Sequence, residues 1–481
     1  MSEQGAATIL VPLALFGWPV VLFLLFMVLR ARRAVITGMI VAWLFLPVAE
    51  YQFQGIPEYT KMTATSLSLF LATLLFEPDR VMAFRPKWID LPVAVLCLCP
   101  LLSSLSNGLG LYDGISGINL YLLRWGLPYF IGRIYFNDYP SMRELAIGLF
   151  IGGLVYMPFC WYEMRMSPQL HRVIYGYHQH SFAQTLRWGG YRPMVFLQHG
   201  LMVGMWMVTA TLSGIALWRT GAMRQIRGIP MWMPVGVLFL TAVLCRSSGA
   251  LVLLGMGIAV FLTVRYLSTP LVLAGIAAVC VAYVAVRCAG MSDGSALAEF
   301  ARDVFGPDRG HSVDVRVHNE ELLAARARQQ PVFGWGGWGR SRVHDLRGKD
   351  VSVTDSLWII LFGTNGAVGV AAMLATVLVP PLLLARKTPV AWWVHPVAAP
   401  TACMAVIAVL WMVDNVLNDM FNPVYVMMIG GLAGIRPLSP LDVGVVSVQR
   451  IARRPFVPLR KRGRPPRPRG NVPGPPNSGA A

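Results

Sequence analysis

Runs of about 20 consecutive apolar residues recur along this chain, each long enough to cross the hydrocarbon core of a bilayer as a helix. Hydrocarbon offers no partner for backbone N–H and C=O groups, so every such run must close its hydrogen bonds internally. That sets the fold class as an all-α, polytopic integral membrane protein. Composition agrees: 56% of the 481 residues are hydrophobic, 13% are charged and the mean hydropathy is +0.56. A soluble domain carries about a quarter of its residues charged.

The runs number about 13 (12–14). They fall at 8–29, 34–49, 62–76, 88–104, 118–136, 142–162, 193–218, 230–245, 250–264, 269–288, 356–385, 394–413 and 423–435. Two long polar segments interrupt them, 163–192 and 290–355. The expected organisation is an N-terminal transmembrane bundle over 1–289 and an extracytoplasmic helical loop domain over 290–355. C-terminal transmembrane helices follow over 356–436, with a basic Pro/Gly/Arg-rich tail over 437–481 whose composition is that of disordered chain. The first run is too long for a signal-peptide core and is expected to be retained.

The net charge of +18 is spread over short loops and the tail. Loops taken alternately sort by charge. The set at 30–33, 77–87, 133–143, 219–227, Arg265, 386–387 and the tail is basic, and the opposite set holds most of the acids. The positive-inside rule then makes the basic set cytoplasmic and puts the N-terminus and both long loops outside. The tail suits anionic inner-leaflet lipids at about 1 kcal/mol per basic residue. It has no aromatic interleaving, so no nucleic-acid partner is expected. The seven cysteines lie in or at the ends of apolar runs, as small apolar residues rather than a disulfide framework. No metal or cofactor site is expected.

Candidate chemistry gathers on the outer side. Arg192 closes the 163–192 loop, Arg246 sits in the turn after 230–245, Arg316 starts the helix of the long loop, and Asp355 stands at the mouth of the next span. Arginine at membrane depth is costly unless it lines a cavity and meets an anion. Its planar fork grips phosphate with two hydrogen bonds and keeps its charge. Three arginines and one acid on a single side therefore point to an anionic, lipid-borne substrate. The plain alternatives are snorkelling for each arginine and a helix N-cap for Asp355. Trp335 and Trp338, set between glycines, are candidate sugar platforms or headgroup anchors. His344 is a further candidate for glycan contact. His171, His178 and His180 have no acidic or cysteine partner at ligand spacing and read as polar loop residues. Asp414, Asn415, Asn418, Asp419 and Asn422 read as a short solvated turn, with sugar contact as the alternative.

The order of these residues resembles the O-antigen ligase and O-antigen polymerase superfamily. Asp355-Ser356, nine residues and Gly366-Ala367-Val368-Gly369 are similar to that family's His-Ser or His-Asn, nine residues, Gly-x-x-Gly. Arg316, a helix and Pro331-Val332-Phe333-Gly334-Trp335-Gly336 resemble its Arg, helix, Pro-x-x-Gly-x-Gly. Cys245-Arg246-Ser247-Ser248 resembles its Ser-Arg span boundary, and Arg192-Pro193 with Phe196 and His199-Gly200 its Arg-Pro loop exit. The likeness covers roughly 192–369.

It implies a metal-independent, inverting glycosyltransferase of the bacterial inner (cytoplasmic) membrane. Such an enzyme takes a glycan from a polyprenyl (undecaprenyl) diphosphate carrier and passes it to a lipid or glycan acceptor hydroxyl, in company with other polysaccharide-assembly proteins. Arg192, Arg246 and Arg316 would hold the diphosphate and stabilise the charge growing on it, and Asp355 would accept the acceptor's proton. The family carries histidine there. An aspartate is ionised at neutral pH and is a weaker base toward a hydroxyl; if Asp355 only caps its helix, the transferase step is lost or falls to His344 or Asp350.

Two other classes compete. A transporter or flippase predicts an internal inverted repeat and charges at the midplane, whereas these charges lie at the outer rim. A non-catalytic assembly partner is favoured by the histidine-to-aspartate departure. Apart from any family, Gly366 and Gly369 at the head of a span read as close-packing positions between helices.

Overall fold

The structure, a computed structural model, describes residues 6–53, 55–438 and 479. It is mostly α-helical, with three two-stranded ribbons among the described residues. The described residues up to Pro437 form one compact unit. Beyond Leu438 the expected basic tail lies outside the described residues, Gly479 excepted.

Eight described helices are long and apolar enough to cross a membrane. They are Leu10–Val28, Trp88–Ser106, Tyr139–Met166, Gly200–Arg219, Ser248–Leu267, Leu271–Cys288, Leu357–Lys387 and Ala399–Leu417. The chain is thus a multi-pass membrane protein. The other expected spans fall on shorter or composite helices. Ala31–Phe45, Lys61–Phe76, Trp232–Leu244 and Pro423–Gly434 are each under 18 residues, and Leu111–Tyr121 continues through a π turn, Leu122–Gly126, into Leu127–Tyr135.

Loops sort to two ends as their charges suggested. At one end Arg32 pairs with Asp138 at 2.8 Å, Arg143 donates to the Ala222 carbonyl, and Lys387 donates to the Ala433 carbonyl. At the other, Arg192 reaches Arg246, Arg340 pairs with Asp113 at 3.0 Å, and the Leu357 N–H donates to the Asn418 carbonyl.

Small residues let the short terminal helix in. A Cβ on Gly132 would strike the Met427 carbonyl, and one on Gly430 the Tyr129 carbonyl, so Leu127–Tyr135 and Pro423–Gly434 touch backbone to backbone. Between membrane helices such close approach supplies the dispersion contact that lipid cannot.

Two expected boundaries shift. The run beginning at Pro193 is helical only from Gly200; 193–199 is an irregular link, buried except at Gln198, with Val195 at φ 52°. Side chains take over its backbone bonding. Glu163 accepts from the N–H groups of Met194 and Val195 at 2.8 and 2.7 Å, and buried Lys61 donates to the Phe196 carbonyl at 3.3 Å. Buried backbone groups need partners, and here two ionic side chains supply them.

The run at 394–413 becomes a 3-10 turn, Val390–Val394, and then the helix Ala399–Leu417. That helix carries Asp414 and Asn415 into the interior at 8% and 1% exposure, so they do not form a solvated turn. The helix simply runs one turn past its last apolar residue before the polar pair.

Candidate functional site

The site's frame is a crossing of two glycine-bearing segments. The long-loop helix Pro307–Ala327 is stopped short of Pro331, and the chain then turns through Gly334 and Gly336 at φ 71° and 83°. Opposite it, the Leu357–Lys387 helix is broken at Gly366, with φ 65° and ψ −166°. The break frees backbone groups, and the loop takes them up. The Trp335 N–H donates to the Gly363 carbonyl at 2.8 Å and the Gly336 N–H to that of Thr364 at 3.0 Å; the Ala367 and Val368 N–H groups donate to Pro331 and Val332. A Cβ on Gly334 would meet the Asn365 nitrogen at 2.6 Å, and one on Gly366 the Phe333 nitrogen at 2.5 Å. Gly366 is therefore the opening in a helix that admits a loop, not a packing position between helices.

A second device seats the long-loop helix. Arg287, 1% exposed at the end of Leu271–Cys288, donates to Glu321 at 2.9 Å, to the Ser292 carbonyl at 2.8 Å and to the Val317 carbonyl at 3.1 Å, and lies 3.7 Å from Glu320. Glu320 accepts from the Tyr283 hydroxyl at 2.9 Å and from the Ser356 hydroxyl. Burial pushes its carboxyl above the ordinary range, opposed by those hydroxyls and by Arg287. Arg316, one turn earlier on the same helix, then faces Asp355, with Nε 3.9 Å from Oδ2.

Two expectations change here. Arg316 stands mid-helix, because Pro307 fills the first helical turn nine residues upstream. Ser356, not Asp355, holds the N-cap position of the following helix, and its hydroxyl is turned to Glu320 instead of capping. Asp355 is left partly exposed, with Arg316 as its ion partner.

The other two arginines meet at a strained turn. Arg192, 4% exposed, donates from Nε and Nη2 to the Arg246 carbonyl at 3.4 and 3.3 Å. Arg246 itself has φ 52°, and its Nη1 donates to the carbonyls of Arg187, at 2.9 Å, and Trp188.

His199 joins this pair to Arg316. It caps the Gly200–Arg219 helix, its Nδ1 accepting from the Leu201 N–H at 3.0 Å, so Nε2 carries the proton and donates to Gln184 at 2.8 Å. Burial, then His180, then the charges of Arg192, Arg316 and Arg187 push its imidazole down to about 3. Three guanidinium charges thus act on one neutral imidazole. Asp414 also lies within reach of the Arg316 charge.

A pH dependence follows. His171 is no solvated loop residue: it is 1% exposed, Nε2 accepts from the Val48 N–H at 3.2 Å, and Nδ1 donates to the Tyr177 carbonyl at 2.9 Å. Burial, with the Lys61 and His178 charges adding to it, pushes its imidazole down to about 4. Unfolded histidine titrates near 6.5, so below that pH the unfolded state binds more protons. Stability contributed by both is full above pH about 6.5 and falls as pH drops toward 4 and 3. Thermal unfolding in detergent should show a lower midpoint at pH 5 than at pH 7.5, and His199→Gln and His171→Gln should each narrow the gap. A gap unchanged in both variants contradicts the assignment.

The remaining candidates sit apart from the arginines in role. The Trp335 indole donates to the Arg326 carbonyl at 2.9 Å and is covered by the Arg326 guanidinium at 3.6 Å, so it is a strut of the crossing. Trp338 is 74% exposed, and the His344 and Asp350 backbones meet in an isolated, exposed β-bridge. Sequence reasoning passed over Arg187, Gln184, Arg287 and Glu320. The first two are ordinary loop residues in a sequence without fold, and the last two acquire meaning only when helices far apart in the chain meet. No protein-family model matches the chain, and no curated protein matches it.

Proposed function

We propose that this protein is a membrane glycosyltransferase of the O-antigen ligase/polymerase kind, moving a glycan from a polyprenyl diphosphate to an acceptor hydroxyl during cell-surface polysaccharide synthesis. The observation that carries the reading is the bonding of Arg192 to Arg246 and of Arg246 to the Arg187 backbone, with Arg316 beside Asp355 and with Arg192, Arg316 and Arg187 all close enough to act on the His199 imidazole. So many permanent charges at one rim repel one another unless an anion of high charge occupies the space between them. A diphosphate carries such charge on planar groups that arginine matches.

In the reaction the acceptor oxygen bonds to the anomeric carbon from the face opposite the leaving group. The bond from that carbon to the phosphate oxygen breaks, and its electron pair stays on the polyprenyl diphosphate. Asp355 takes the acceptor's proton. Guanidiniums already in place stabilise the charge on the leaving group without rearranging, which is worth about 3–4 kcal/mol for each such donor. His199, held neutral with its proton on Nε2, acts as a fixed support for Gln184 and the helix start, not as the base.

The site would face outward in a bacterial inner membrane, with the basic loops in the cytoplasm. The full count of thirteen crossings belongs to the same proposal: the short helices cross because they lie against the longer ones, where tilt and local thinning cost little.

The reading is tested with purified protein in liposomes, a polyprenyl-diphosphate oligosaccharide and an acceptor, comparing wild type with Asp355→Asn. Asparagine keeps the shape and removes the base. Transfer is expected to fall about 10²-fold or more, with donor retention unchanged. Full activity in Asp355→Asn removes it as the base.

A further inference from the structure

The helical run from Leu111 to Tyr135 widens into a π turn at Leu122–Gly126, and Arg124 stands on it. Such turns disrupt the regular ladder and recur at functional sites. The Arg124 guanidinium lies over the Phe421 ring at 4.5 Å, and its Nη2 stops 4.0 Å from Asp419 Oδ1, beyond hydrogen-bond reach. The contrast with Arg133 farther along the same run is sharp: that residue closes on Asp90 with bonds of 2.7 and 3.0 Å.

Arg124 Nε and Asp419 Oδ1 are both shielded from solvent and make no hydrogen bond. The same holds for Asn365 Nδ2, at the break in the long helix. Asn365 is 2% exposed and is tied to this neighbourhood through its Oδ1, which accepts from the Tyr121 hydroxyl at 3.3 Å. Tyr121 immediately precedes the π turn and feels the charges of both Arg124 and Asp419. A buried donor or acceptor left unpaired costs about 1–3 kcal/mol. The unpaired donor of Arg124 beside the unpaired acceptor of Asp419, with the Asn365 donor linked to them through Tyr121, therefore marks a place made for a third party.

The signs of the charges select its class. Asp419 stands beside Arg124, and Glu58, with Glu50 next to it, lies within reach of the same guanidinium, so a bare anion is repelled. A bare cation would leave the unpaired donors of Arg124 and Asn365 unanswered. A neutral polyol answers both, because one hydroxyl can accept from Arg124 while donating to Asp419 across the 4.0 Å gap. We propose that Arg124, Asp419 and Asn365 form a subsite for the hydroxyls of an uncharged sugar residue, chemically distinct from the guanidiniums that act on His199. Read with the proposed transferase, it would receive part of the glycan or of its acceptor. In this respect it deepens that reading, naming an uncharged sugar.

The test is binding alone, with the full-length protein in nanodiscs. The probes are a panel of uncharged hexose, deoxyhexose and N-acetylhexosamine tetrasaccharides, their uronic acid counterparts, and inorganic pyrophosphate. At least one uncharged tetrasaccharide should bind. Arg124→Gln and Asp419→Asn should each weaken it about tenfold or more, as expected for a lost charged hydrogen bond. Arg124→Lys should recover part of the loss, and pyrophosphate affinity should stay within about twofold of wild type in all three, which also shows that they fold. The proposal is overturned if no uncharged tetrasaccharide binds, if uronic acids are preferred, or if binding ignores both substitutions. Failure of the transferase reading would look different: pyrophosphate would not bind, while the sugar and its dependence on Arg124 and Asp419 remained.

Discussion

Arg316→Ala is expected to slow glycan transfer about 10²–10³-fold, the loss typical when one preorganised donor to a developing negative charge is removed. Arg316 gives the cleanest result of the three arginines. Arg192 spends two donors on the Arg246 carbonyl, and Arg246 holds the carbonyls of Arg187 and Trp188, so replacing either also loosens the fold. The one ion contact of Arg316 among the described residues is Asp355 at 3.9 Å, which leaves its fork for substrate. Arg316→Lys should recover only part of the rate, because an ammonium cannot match the two-point grip of a guanidinium. Initial rates measured beside the thermal midpoint separate chemistry from folding. A rate within about threefold of wild type in Arg316→Ala, in a protein of normal midpoint, contradicts the role.

The largest effect on stability is expected at Gly366. Any side chain there meets two penalties at once: a left-handed backbone angle, and a Cβ placed against the backbone of Val332 and Phe333. Neither neighbour can yield, since both belong to the bonded crossing. Gly366→Ala should cost about 3 kcal/mol or more, and Gly334→Ala, caught from the other side by the Asn365 nitrogen, a similar amount. Gly337→Ala is the control, because no atom lies within 4 Å of its would-be Cβ and its backbone angle is ordinary; it should change stability by less than about 0.5 kcal/mol. Thermal unfolding in one detergent compares the three. A wild-type midpoint for Gly366→Ala would show that the loop does not thread the broken helix.

Hydropathy carried the fold class, because the need to satisfy backbone groups in lipid leaves helices as the only answer for such runs. Segment edges at Phe76 and Cys288 are where the sequence placed them, since apolar runs end there at charged or glycine-bearing loops. Sorting loops by charge also brought the right partners together, Arg32 with Asp138 and Arg192 with Arg246.

What stayed hidden depends on partners distant in the chain. The Lys61 amine bonds a carbonyl 135 residues away, and Glu163 bonds N–H groups 31 and 32 residues away. A buried charge satisfied by backbone has no side-chain signature to find. Gly366 was misread because a glycine pair at the head of a span looks the same whether it packs against a helix or opens one. The acids at 414 and 419 were read as solvated because charge normally ends a membrane run. Here the helix buries one of them and sets the other beside Arg124.

The central claim is that the guanidiniums that act on His199 hold a lipid-borne diphosphate. Binding of polyprenyl diphosphate to the wild-type protein in nanodiscs, against the monophosphate of the same chain length, tests it most directly. The diphosphate should bind at least about tenfold more tightly, and Arg316→Ala should erase most of that preference. Equal affinity for the two lipids, or a preference indifferent to Arg316, would mean that the arginines serve some other end.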